Sequence, residues 1–217
     1  MTPLSSLSEL LSFSVNGNGI FGTIPRSFLS MPKMQTLSLG GQLTGSIPPI
    51  TSVNSQLLSI SLGYTLLEGS IPESFGMLTG LQMLSLRYNS ITGTIPESFG
   101  MLTGLQSLYL GDNLLAGTIP STLRRLCNLK SLSLRNNQLS GTIPVLNQSS
   151  LQVIDLSQNY LTMGSLREVP LSTFSPTALA YTKKIFINLR SNCLVFRHPS
   201  NPATNVNATH CGGEQVC

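Results

Sequence analysis

Apolar residues return along most of this chain in one phrase, L-x-x-L-x-L-x-x-N-x-L-x-G-x-I-P, with polar or small residues between them. It is clearest at 81–96 ("LQMLSLRYNSITGTIP"), 105–120 ("LQSLYLGDNLLAGTIP") and 129–144 ("LKSLSLRNNQLSGTIP"). Copies from Leu10 and Leu57 carry one or two substitutions, and the copy from Met34 is one residue short in its turn. The copy from Leu151 keeps its first half, then departs with Met163 inserted and Arg167 where proline would stand. "KIFINLRSNCL" from Lys184 is a degenerate eighth copy. Ile-Pro pairs begin at Ile24, Ile47, Ile71, Ile95, Ile119 and Ile143, which sets the period at 24 residues with one step of 23.

A fixed period of this length marks a stack of repeated units. Leucines at frame positions 4 and 6, such as Leu84 and Leu86, alternate as a short strand with one buried face does. One such strand cannot bury that face alone. Stacked coils can, each pairing with the next in a parallel sheet at a spacing of about 4.8 Å. Asparagine at position 9 (Asn89, Asn113, Asn137, Asn159) falls where the chain turns inward, and its amide can satisfy backbone groups there. Glycine before Ile-Pro (Gly93, Gly117, Gly141) suits a turn of unusual φ, and proline fixes the return path.

The phrase "IPESFGMLTGLQ" occurs twice without change, at 71–82 and 95–106. Phe75, Leu78, Phe99 and Leu102 are expected to point into the core, which makes the copied stretch scaffold. The copies diverge directly afterwards, "MLSLRYN" against "SLYLGDN", where the inner strand begins.

Charge narrows the functional classes. Only 9% of residues are charged, the net charge is +4, and no basic run is interleaved with aromatics. Nucleic acid is therefore not an expected partner. Mean hydropathy is +0.21, yet no window nears 18 uninterrupted apolar residues, so no segment is expected to insert in a membrane. The opening "MTPLSSLSEL" lacks the cationic and apolar regions of a signal peptide. It reads like the tail of a preceding coil, so further repeats or another copy are expected partners at that end.

The L-x-G-x-I-P mark in each coil resembles the plant-type subclass of leucine-rich repeat proteins. The resemblance covers roughly residues 3–166 and the partial coil at 184–194. It implies an α/β solenoid dominated by short parallel β-strands, a right-handed superhelix of about eight 24-residue coils with few regular helices. It also implies an extracellular or cell-surface location, since members include receptor ectodomains, inhibitors of cell-wall hydrolases, adhesion proteins and ice-binding proteins. Two regions are expected: the solenoid at 1–166, and at 167–217 an irregular insertion, the degenerate coil and a C-terminal cap. Such solenoids are bracketed by caps. Here Cys193, Cys211 and Cys217 read as a disulfide staple, Cys193–Cys211 first and Cys193–Cys217 second. Cys127, at the position of Thr79 and Thr103, is expected to be unpaired and partly covered. Sequons at Asn147 and Asn207 are candidate glycosylation sites.

No enzyme is expected. His198 and His210 lie in the tail with a spacing to the cysteines that matches no common zinc pattern, and neither is placed as base for a nucleophile. No phosphate-binding or calcium loop occurs, and no cofactor or metal is expected.

The concave face carries what chemistry remains. Positions 3, 5, 7 and 8 are nearly bare of large groups in the first three coils. Tyr64, Arg87, Tyr88, Tyr109, Asp112 and Arg135 then gather there, residue types that anchor interfaces. Arg87 and Arg135, two coils apart, are placed to clamp a carboxylate, sulfate or phosphate at roughly 10 Å separation. The expected function is a non-enzymatic recognition or adhesion module holding a protein or glycan ligand on this face. The alternatives are a structural unit of a fibre, coat or matrix assembled through solenoid ends, and an inhibitor of a secreted hydrolase. A further column, Thr23, Ser46, Ser70, Thr94, Thr118 and Thr142, is narrower than the matched array an ice-binding face needs.

Overall fold

The computed structural model describes residues 7–51, 56–144, 146 and 150–162, with the backbone of 186–188. The expectations for Asn147, for the insertion at 167–183, and for the tail with Cys193, Asn207, Cys211 and Cys217 lie outside these residues.

Each frame leucine pair produces one inner strand. These are β1 (Ser12–Val15), β3 (Thr36–Leu39), β5 (Ser59–Ser61), β7 (Met83–Ser85), β9 (Ser107–Tyr109), β11 (Ser131–Ser133), β13 (Val153–Asp155) and β15 (Phe186–Asn188). They form one parallel sheet in that order. The register matches the sequence frame: Leu84 pairs with Ile60 on one side and Leu108 on the other. All three are fully buried, as are Leu37 and Leu132 in the same row. A column of such side chains is worth about 1.5–3 kcal/mol per residue in burial, which stacking alone makes available.

The segment after each asparagine does more than return the chain. It forms a second set of strands: β2 (Phe21–Gly22), β4 (Gln42–Ser46), β6 (Leu66–Ser70) and β8 (Ser90–Thr92) in one sheet, then β10 (Ala116–Thr118), β12 (Gln138–Thr142) and β14 (Tyr160–Thr162) in another. Backbone bonds from Leu114 N–H to Ile91 O and from Ala116 N–H to Gly93 O bridge the two. The glycine of L-x-G allows the close stacking. Gly117 sits at φ +77°, and a Cβ there would lie 2.9 Å from Thr94 Cγ2 of the preceding coil.

Proline then directs the chain to the convex side, where 3-10 turns form at Arg26–Ser30, Glu73–Met77, Glu97–Met101 and Ser121–Arg125. These are the regular helical segments among the described residues. The copied phrase is scaffold, as read: Phe75, Phe99 and Leu102 are fully buried and Leu78 nearly so. Its glycine has a packing reason. A Cβ on Gly76 would come 2.6 Å from Ser98 Cβ in the next turn, and Gly100 meets Thr122 in the same way. Cys127 is free and is exposed rather than partly covered, because the convex turn that carries it leaves Thr79 and Thr103 exposed too.

The asparagines build a continuous zipper between coils. Asn113 Oδ1 accepts from Ile91 N–H, while its Nδ2 donates to the carbonyls of Leu86 and Leu110. Asn89, Asn137 and Asn159 repeat the pattern one coil apart. Each shared carbonyl receives two asparagine donors, one from its own coil and one from the next. Thr65 stands at this frame position in the coil from Leu57, where its hydroxyl donates to Leu62 O.

Candidate functional site

The solvent side of the inner sheet is set by frame positions 5, 7 and 8. Position 8 lies just beyond the inner strand, in the left-handed region in every coil where it is described: Gly17, Gly41, Tyr64, Tyr88, Asp112, Asn136 and Gln158 all have positive φ. Glycine, asparagine and aspartate adopt this conformation readily, and tyrosine does so at a cost of about 1–3 kcal/mol. Tyr64 (φ 59°) and Tyr88 (φ 57°) therefore occupy places where smaller residues serve in neighbouring coils.

Their rings stack face to face, with centroids 4.5 Å apart and an interplanar angle of 15°. Even so, Tyr64 remains 57% exposed and Tyr88 41% exposed. The Arg87 guanidinium carbon lies 5.1 Å from the centre of the Tyr64 ring. An exposed aromatic stack and cation contact return about 0.5–1.5 and 0.5–1 kcal/mol. Together these return about 1–2.5 kcal/mol against a backbone cost of about 2–6 kcal/mol for two left-handed tyrosines, so the pair adds little net stability.

Two coils further on, Arg135 is held differently. Its Nε lies 3.4 Å from Asp112 Oδ2, and its Nη2 donates to Asp112 Oδ1 at 3.4 Å. Asn136 Nδ2 donates to the same oxygen at 3.0 Å. Arg135 Nε is buried and makes no well-aligned hydrogen bond. Each arginine thus has a partner of its own in the coil before it. Tyr109 stands half-buried on β9, between Ser85 and Ser133 in register. Asn136 was absent from the sequence-derived site. Its shared frame position with Asp112 was the signal that places it there.

Beyond Tyr64 and Arg87 the face falls away. An open cleft of about 400 Å³ lies between Asn16, Gly41, Ser61, Gly63, Tyr64 and Arg87. Asn16 Nδ2, at its far wall, donates to Ser38 Oγ at 2.7 Å. The flank sheet presents hydroxyls as well, but its second column is broken by Glu68 and Ala116. The hydroxyls of Thr44, Thr92 and Ser140 there are turned onto the carbonyls of Gly22, Gly69 and Gly117.

Comparison with known proteins agrees with this architecture. The leucine rich repeat family matches residues 55–115 and 79–139. No curated protein matches the chain at a significant level. The ectodomain of the Arabidopsis receptor kinase HAESA, solved with an IDA peptide hormone lengthened at its N-terminus, is 33% identical with a TM-score of 0.78 over 90% of this chain and 32% of that one. The plant peptide hormone receptor RGFR1, solved with RGF2, is 28% identical with a TM-score of 0.65, over 88% of this chain and 34% of that one. A plant ice-binding protein is 27% identical with a TM-score of 0.75, over 90% of this chain and 68% of that one. The chain spans about a third of the length of the two receptor ectodomains.

Proposed function

The chain is a leucine-rich repeat protein of the plant type, and from that premise we propose that it is a non-enzymatic extracellular recognition module that binds a peptide or protein ligand on its concave face. One observation carries the reading. Tyr64 and Tyr88 are held, exposed and stacked, at left-handed backbone positions where glycine or asparagine would cost less. Rigid, half-exposed tyrosines beside an arginine are the residue types that dominate interface energetics. A preformed surface of this kind loses little conformational entropy on binding. Similarity to a receptor-kinase ectodomain solved with a peptide hormone, and to a peptide hormone receptor, supports a peptide as the ligand class.

The test is selection of displayed twelve-residue random peptides on the wild-type chain, followed by rebinding to two variants. One carries Tyr64→Asn and Tyr88→Asn on the concave side, the other Glu73→Ala and Arg124→Ala on the convex side. Enriched peptides are expected to lose at least tenfold in affinity on the concave variant and to keep wild-type affinity on the convex one. Equal binding to both variants would remove the concave face as the site.

A further inference from the structure

Frame position 7 alternates between glycine and arginine: Gly63, Arg87, Gly111, Arg135. The alternation is steric. A Cβ on Gly63 would come 2.9 Å from Arg87 O and 3.2 Å from Arg87 Cγ, and one on Gly111 would come 2.8 Å from Arg135 Cγ. Each arginine stem lies across the glycine of the coil before it, which carries its head to that coil's position 8. The same two-coil module is therefore built twice.

The modules differ in what the arginine meets. In the second, Asp112 provides a carboxylate and Asn136 steadies it. In the first, tyrosines take both places: Tyr64 stands where Asp112 does and Tyr88 where Asn136 does. Arg87 keeps its charge over an aromatic ring, exposed, and in no ion pair among the described residues. The cleft opens beside it, lined by Asn16, Gly40, Gly41, Ser61 and Gly63.

We propose that this cleft is a subsite for an acidic side chain carried by an extended peptide, whose carboxylate does for Arg87 what Asp112 does for Arg135. The proposal rests on the concave-face reading above and deepens it. A planar guanidinium with free donors recognises a carboxylate in a fixed, two-point geometry. Arg135 already faces the Asp112 carboxylate and takes no part.

The experiment follows the arginine side-chain Nε–Hε signals by NMR in ¹⁵N-arginine-labelled protein at low ionic strength. Signals are assigned with Arg87→Gln and Arg135→Gln. The probes are a capped Gly-Ser-Glu-Ser-Gly peptide, its glutamine twin and a sulfated disaccharide. The Arg87 signal is expected to shift saturably with the glutamate peptide, at least fivefold more tightly than with the glutamine twin, while Arg135 stays still. Asp112→Asn removes the internal carboxylate, so Arg135 should then begin to respond. Equal response to the two peptides overturns the proposal. So does tighter response to the sulfated disaccharide, or an Arg135 shift in the wild type matching that of Arg87. The two peptides are compared on the wild-type protein itself, and the glutamine variants serve only to assign its signals. If Arg87 ignores the glutamate peptide while displayed peptides still depend on Tyr64 and Tyr88, this subsite falls and concave-face recognition stands.

Discussion

Replacing Asn113 with alanine cuts the zipper that holds successive coils in register. Asn113 is only 6% exposed. Its Oδ1 accepts from Ile91 N–H at 3.1 Å, and its Nδ2 donates to Leu86 O at 2.9 Å and Leu110 O at 3.1 Å. The neighbours soften the loss, because Asn89 still donates to Leu86 O and Asn137 to Leu110 O, both at 3.0 Å. Ile91 N–H, by contrast, loses this acceptor. A buried donor without a partner costs about 1–3 kcal/mol, and two bonds lost from carbonyls that keep another add about 0.5–1.5 kcal/mol each. Allowing for relaxation, the expected destabilisation is about 2–4 kcal/mol, a large share of the 5–15 kcal/mol typical of a domain. Urea unfolding followed by circular dichroism measures it as a fall in midpoint at unchanged slope. Asn18→Ala is the control, since Asn18 holds the same frame position but is exposed and, among the described residues, its side chain bonds only to Asn16 O. It should cost no more than about 0.5 kcal/mol. Asn113→Thr should fall between the two, because Thr65 already serves at this position with one hydroxyl. Equal midpoints for Asn113→Ala and Asn18→Ala would refute the zipper as a source of stability.

Further outcomes follow from the packing. Phe99→Ala empties a fully buried site and should cost about 3–5 kcal/mol in the same assay, whereas Met101→Ala, 54% exposed on the same turn, should stay within about 0.5 kcal/mol. Gly117→Ala forces a side chain into the left-handed region and against Thr94 Cγ2, and should cost more than about 1 kcal/mol. Adding Thr94→Ser removes the colliding methyl, so a double-mutant cycle should show recovery of part of that loss, with the backbone strain remaining. Tyr64→Asn trades a stacked ring for a residue at ease at φ 59°, and thermal unfolding should shift by less than about 1 kcal/mol either way. A larger loss would mean that the tyrosine serves the fold rather than a ligand.

The period made most of the solenoid legible. Leucine alternation placed the inner strands at Met83–Ser85 and Ser107–Tyr109, and the role of Asn113 followed from needing to satisfy an inward turn. The flank strands were less visible, because L-x-G-x carries one inward residue and a glycine, too little pattern to separate a strand from a turn. The concave residues were legible as a cluster through the frame alone. Their pairing was not, since side-chain direction depends on bare glycines beneath: Gly63 and Gly111 turn Arg87 and Arg135 toward the preceding coil. The left-handed backbone at position 8 was signalled by Gly17 and Gly41, and tyrosine in the next two coils masked it.

The most direct test of concave-face recognition is a crystal structure of this chain with the peptide most enriched by display. The peptide should run across β5, β7 and β9, with atoms within about 4 Å of Tyr64, Arg87 and Tyr88. A peptide seated on the convex turns around Glu73–Met77, or along the flank strands, would contradict it.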